Sequence, residues 1–204
     1  MDLVEKLVTR VGRALEFALT GRAEFQMTLS DFAEAKTVNG SVQARLVLDE
    51  LRPLLKKEYG ISLTWPVLLE LKQPPAAGWK AGFYHAEGNM GRYTPQEFGD
   101  KKAHQVMVIP GLPRPRFRSI LGHELVHAYQ REKSILMGDR GLREGMARWI
   151  EYHLLLPTHP KEAAKLLKIR HFTFGRAISI ILEYEKKHGV TETMRWLENY
   201  GKTD

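Results

Sequence analysis

The chain has 204 residues, of which 43% are hydrophobic and 27% charged, with a formal net charge of +7 and no cysteine. That length and balance fit one folded globular domain with a sizeable core and exclude a disordered or fibrous chain. The lack of cysteine excludes disulfide frameworks, thiolate zinc sites and thiol catalysis, so any bound metal must be held by His, Asp or Glu; it also fits a reducing cytoplasm.

Residues 3–19 place Val4, Leu7, Val8, Val11, Ala14, Leu15 and Ala18 on one helical stripe that stops at Gly21. Asp2, Glu5, Lys6, Arg10, Arg13 and Glu16 interrupt this segment, so it is not a secretory signal. No other apolar run approaches a bilayer span, and the expectation is a cytoplasmic protein with no membrane partner. Ser41 is expected to cap a second helix running toward Glu58, with Pro53 kinking or restarting it and Gly60 ending it.

From Ile61 the texture changes. The runs ISLTWPVLLELK (61–72), GFYHA (82–86) and HQVMVI (104–109) carry β-branched and aromatic residues between Pro and Gly, which predicts a small sheet. The stretches KQPPAAGWKAG (72–82) and GNMGRYTPQEFGDKK (88–102) read as surface loops or hairpin connections. Helices follow over about 116–133, 140–156, 160–187 with a break near His171, and 190–200.

Helices, then a sheet, then helices is an α+β order, not an alternating βαβ one. GNMGRY is no dinucleotide fingerprint, and no phosphate-cradling GxxxxGK[ST] run exists. We read residues 1–204 as a single domain: an N-terminal helical part (1–60), a core carrying sheet and metal site (61–156), and C-terminal helices (157–204).

The chemistry concentrates in SILGHELVHAYQRE (119–132). On a helix, positions i and i+4 lie about 40° apart around the axis and about 6 Å apart along it, so His123 and His127 reach one ion as a half-site for zinc. Glu124 sits about 100° further round, where it flanks the ion as a general base rather than a ligand. An HExxH arises by composition alone in about 3% of shuffled chains of this kind, so a third ligand is needed to decide. In GLREGMARWIEYHLLLP (141–157), Glu144 opens a second helix, and antiparallel packing of the two helices would complete a His, His, Glu site with one open position. The competing account of Glu144 is a first-turn carboxylate favoured by the helix macrodipole.

These residues resemble a known family. VMVIPGLPRPRFRSILGHELVHAYQRE followed by LREGMARW is similar to the C-terminal peptidase domain of the plant LIM-domain metallopeptidases that limit organ and seed size and are activated by ubiquitin. The shared parts are a short strand, a GLPR segment, the HExxH helix, and an EG pair whose Glu lies seventeen residues past the second metal-binding His, here Glu144 and Gly145; the resemblance spans roughly Gly82 to Leu156. It implies a zincin-like fold of the gluzincin type, His123, His127 and Glu144 as ligands of one zinc ion, and Glu124 as catalytic base. The chain lacks LIM cysteines and ubiquitin-interacting motifs, so ubiquitin dependence does not transfer. Where the plant pattern has a histidine eight residues after the glutamate ligand, this chain has Tyr152, with His153 next.

The expected activity is therefore a zinc endopeptidase acting on a protein or peptide substrate, in which zinc acidifies water and polarises the carbonyl while Glu124 moves the proton. An oxyanion donor is also required, and Tyr152, His153, His171, Tyr184 and several arginines remain open for it; Arg148, one turn past Glu144, either pairs with a carboxylate near the site or, more simply, is half of an exposed helix pair. His85, His104, His159 and His188 have no partner spacing. Substrate is expected to pair with a sheet edge, GFYHA or HQVMVI, beside a loop at 87–102. Arg114, Arg116 and Arg118 either attract acidic substrate residues or are solvated. Two other classes stand as alternatives: a DNA-associated or regulatory metalloprotein drawing on the basic charge, although lysine and arginine are scattered and no nucleic-acid module is present, and a non-catalytic zinc-binding module.

Overall fold

The computed structural model describes residues 36–73, 90–168 and 175–201, all within one structural unit, 35–204. The helix expected at 3–19, the GFYHA segment with His85, and the break near His171 lie outside the described residues. Among the described residues the elements run β1 (Thr37–Val38), α1 (Ser41–Tyr59), β2 (Val67–Leu71), β3 (Gly91–Phe98), β4 (Lys101–Val108), β5 (Leu112–Pro113), α2 (Arg114–Lys133), α3 (Arg140–Leu155), α4 (Pro160–Leu167) and α5 (Gly175–Asn199). The class is α+β.

Helix α1 buries Ala44, Val47, Leu48, Leu51 and Leu55, a stripe at helical spacing. Its cap differs from the expectation at Ser41. Gly40 takes the N-cap position, and the Gln43 side-chain oxygen accepts from the Asn39 and Gly40 backbone N–H groups at 2.8 and 3.1 Å. Pro53 does not interrupt the helix, which runs unbroken from Ser41 to Tyr59, and it lies at an exposed position. Gly60 ends the helix in the left-handed region, at φ 70°.

The main sheet has the order β2-β4-β3, with β2 parallel and β3 antiparallel to β4. Segment 88–102 is therefore largely not a loop: 91–98 is a strand, and Gly99, at φ 59°, turns it into β4. Its composition hides this, since Gly91, Pro95, Gln96 and Glu97 are poor strand formers, and pairing with the apolar β4 overrides that preference. Pro95 fits because β3 is an edge among the described strands. HQVMVI falls mostly in β4, the central strand paired on both sides, which rules it out as a free edge for substrate. A separate two-residue ladder joins β1 to β5 and ties the entry of α2 to the start of the unit.

Helix α2 is largely buried from Phe117 to Gln130 and packs against α1, α3 and the sheet. A Cβ added at Gly122 would collide with the Leu154 side chain and lie 3.7 Å from Leu51 Cδ2, so α1, α2 and α3 converge at this glycine. Trp149 and Phe117 are the largest fully buried side chains of the core. Helix α5 carries a non-helical Gly189 at φ 80°, matching the expected break between residues 187 and 190. Among the described residues no helix is long and apolar enough to cross a membrane.

Candidate metal centre

Pro115 sets the first turn of α2, and the Arg114 backbone and side chain tie that turn to Lys36 and Glu50. At the other end, Ser134 in the left-handed region stops the helix, and Ile135 N–H returns to the Gln130 carbonyl at 2.9 Å. Asp139 then caps α3 by accepting from Leu142 N–H at 2.9 Å. This short reversal lays α3 antiparallel to α2, because contacts run in opposite senses along the two helices: Gln130 with Arg143, His127 with Glu144, His123 with Glu151.

The consequence is a convergence of three donor groups, whose ligand atoms, taken one per residue, lie within 4.8 Å of one another. His123 Nε2 and His127 Nε2 are 3.1 Å apart; Glu144 Oε1 lies 3.4 Å from His127 Nε2, and Glu144 Oε2 lies 3.7 Å from His123 Nε2. Three ligands at ~2.0–2.1 Å from one tetrahedral centre are separated by about 3.4 Å, so the spacing fits a single zinc-sized ion. His123 and Glu144 are 2% and 3% exposed, whereas the His127 side chain retains 14%, so solvent reaches the group from that side.

Hydrogen bonds fix which nitrogens face inward. The Glu151 carboxylate can only accept, so His123 Nδ1, 3.1 Å away, carries the hydrogen. Gln130 donates its amide to the Arg143 carbonyl at 2.9 Å, which turns its oxygen to His127 Nδ1, also at 2.9 Å. Both Nε2 atoms thus face the Glu144 carboxylate around one position, a group that could hold a metal ion.

Glu124 stands beside this group, 4% exposed, and accepts a hydrogen bond from the backbone N–H of Tyr93 on β3. Burial first, then the Glu144 and Glu151 carboxylates, push its pKa up to about 7 against the pull of His127 and the Tyr93 N–H. A carboxyl poised there suits proton transfer near neutrality. For His127, burial disfavours the charged form, but the Glu144 carboxylate, Glu124 and Gln130 outweigh it and the pKa is raised.

No family model, curated protein or solved structure matches this chain.

The structure brings His123, His127, Glu144 and Glu124 together and leaves other candidates elsewhere. Tyr152 does not join them: it packs against Leu155, Ala163 and Leu166 on the side of α4. Nor does His153, which lies about 180° around α3 from Glu144 and whose Nε2 sits 3.0 Å from Glu185 on α5, beside Trp149 Nε1 bound to the same carboxylate. Tyr184 stacks on Trp196 at 4.6 Å and lies tilted against His188 at 4.3 Å. His159 contacts Thr158, and His171 lies outside the described residues. Arg148 is 4% exposed and so is no surface helix pair. Arg114 and Arg116 are held by Glu50 and Glu151 rather than solvated.

Three features escape sequence reasoning. Glu151 is one, although it lies seven residues past Glu144 and so on the same face of α3, which was the available signal. Gln130, three residues past His127, is legible in the same way. The third is His104, fully buried, with Nε2 3.0 Å from Glu132 Oε2, Nδ1 3.2 Å from the Tyr93 hydroxyl and its ring stacked on Trp65 at 5.0 Å. It ties β3 and β4 to α2 and has no signal in residue spacing, since its partners come from three separate segments.

Proposed function

We propose that this chain is a zinc-dependent endopeptidase of the zincin type, with His123, His127 and Glu144 holding the metal and Glu124 as general base. The observation that carries the reading is the meeting of two imidazole Nε2 atoms and a carboxylate at zinc-ligand spacing, with the buried Glu124 carboxyl alongside. The resemblance of the HExxH and EG segments to the plant peptidases supports the same assignment. The chain has the composition to hold such an ion without thiolates, and the donor set of two imidazoles and a carboxylate is that of zinc hydrolases.

When bound, zinc would acidify water and polarise the scissile carbonyl. The protein's own residues do the rest. Glu124 takes the proton as water oxygen adds to the carbonyl carbon, then delivers it to the amine nitrogen as the C–N bond breaks, leaving a carboxylic acid and an amine. Tyr93 N–H keeps that carboxylate from swinging away. Glu151 and Gln130 keep both imidazoles in the ligating tautomer. Among the described residues no strand pairs with the outer edge of β3, which runs past Glu124; with Tyr93 N–H held by Glu124 and Pro95 lacking a donor, an extended peptide beside it would be held chiefly through the strand's carbonyl groups.

Elemental analysis of the purified chain with H123A and E144A tests this directly. The expected result is one zinc per parent chain and none in either variant, with hydrolysis of an unfolded protein substrate by the parent alone. Zinc retained in full by both variants would overturn the assignment.

A further inference from the structure

We infer that Glu151, braced by Arg116, is a positioning residue that sets how tightly the centre holds its metal through His123. The inference rests on the metal reading above and extends it to residues that touch no ligand position themselves.

The geometry is specific. Glu151 is 5% exposed and divides its two oxygens: Oε2 faces His123 Nδ1 at 3.1 Å, and Oε1 accepts from Arg116 Nη1 at 2.9 Å. A carboxylate held at both ends cannot rotate, so the imidazole it receives from cannot rotate either. The two braces come from different elements: Arg116 stands two turns before His123 on α2, and Glu151 two turns after Glu144 on α3. One α2–α3 contact therefore places a metal-binding carboxylate, and the next places the acceptor that aims a metal-binding imidazole.

The two histidines are treated unequally. His127 donates to a neutral amide, Gln130, and His123 donates to an ionised carboxylate. A hydrogen bond to a charged acceptor is about twice as strong as a neutral one, and it raises the electron density the imidazole offers at Nε2. His123 is thereby the firmer of the two ligands, and loss of Glu151 weakens the centre more than loss of Gln130. Arg116 Nη1, 2.9 Å from Oε1, gives the buried Glu151 carboxylate a cationic partner.

The test is zinc affinity, read by competition with a chromogenic chelator, for the full chain, E151Q, E151A and Q130A. Cobalt is loaded in parallel to report ligand geometry through its visible spectrum. E151Q keeps the volume but offers one acceptor oxygen where Glu151 offers two, so either Arg116 or His123 Nδ1–H loses its acceptor, and it remains informative if E151A folds poorly. The expected outcome is roughly 10-fold weaker zinc binding in E151Q, up to about 100-fold in E151A, a smaller loss in Q130A, and a changed cobalt spectrum in the Glu151 variants. A purely structural ion pair would lower the melting temperature of the metal-free variants and leave affinity and spectrum alone. E151Q and E151A binding zinc within twofold of the parent, with an unchanged cobalt spectrum, would overturn the inference while the metal site stands. A parent that binds no zinc, or an H123A variant that binds it as the parent does, would overturn both.

Discussion

Gly91 lies directly against Glu124: a Cβ at position 91 would sit 2.7 Å from Glu124 Oε1 and 2.6 Å from Ile120 Cγ2. The edge strand can approach the base only because this residue has no side chain, and the same approach lets Tyr93 N–H reach the carboxylate. G91A is expected to push either β3 or the Glu124 side chain aside. The cost in stability is about 1–3 kcal/mol from overpacking, and turnover falls on the order of 10²-fold because the base is displaced. A thermal melt and a kcat measurement check both; a G91A variant with parental turnover would show that Tyr93 does not position Glu124.

E124Q preserves the volume of the base and removes its ability to take a proton. Zinc content is expected to equal that of the parent, and turnover to fall by about 10²–10⁴-fold. Loss of zinc in E124Q would instead make Glu124 a ligand.

If His123, His127 and Glu144 hold zinc as proposed, removing it leaves a cluster of donors without their shared ion. A chelator is therefore expected to lower the melting temperature, and readdition of zinc to restore it. At free zinc about a thousand times Kd the stabilisation is about 4 kcal/mol. A melting curve indifferent to both chelator and zinc would contradict a bound ion in the folded state.

Glu132 predicts an acid-sensitive stability that has nothing to do with the metal centre. Burial alone would push its carboxyl up, but hydrogen bonds from His104, the Thr64 hydroxyl and N–H, and Trp65 N–H outweigh it and hold the pKa at about 2. A carboxylate depressed in the fold contributes stability in full above its ordinary value of 4.5, and that contribution is lost as pH falls toward 2. The parent is expected to lose stability across this window, and E132A, already destabilised by the buried His104 it leaves without its acceptor (about 1–3 kcal/mol), to change less over it. Denaturant titrations at pH 6 and about pH 3 measure the difference, which vanishes if the Glu132 network is marginal.

What was legible from residue order alone was whatever a single helix imposes. A 3.6-residue period obliges His123 and His127 to share a face and Glu124 to flank them, whatever surrounds the helix. The breaks at Gly60 and Gly189 follow from local backbone preference in the same way, and so does the α+β order of elements. Packing decided the remainder. The carboxylate of Glu144 reaches the imidazoles because the turn after Ser134 lays α3 antiparallel on α2, and no local propensity encodes that alignment. The same rotation of α3 that aims Glu144 and Glu151 inward sends Tyr152 toward α4 and His153 toward Glu185 on α5. Strand β3 exists because β4 supplies its hydrogen bonds and Gly91 lets it close on α2, so a polar stretch with the composition of a loop becomes the wall of the site.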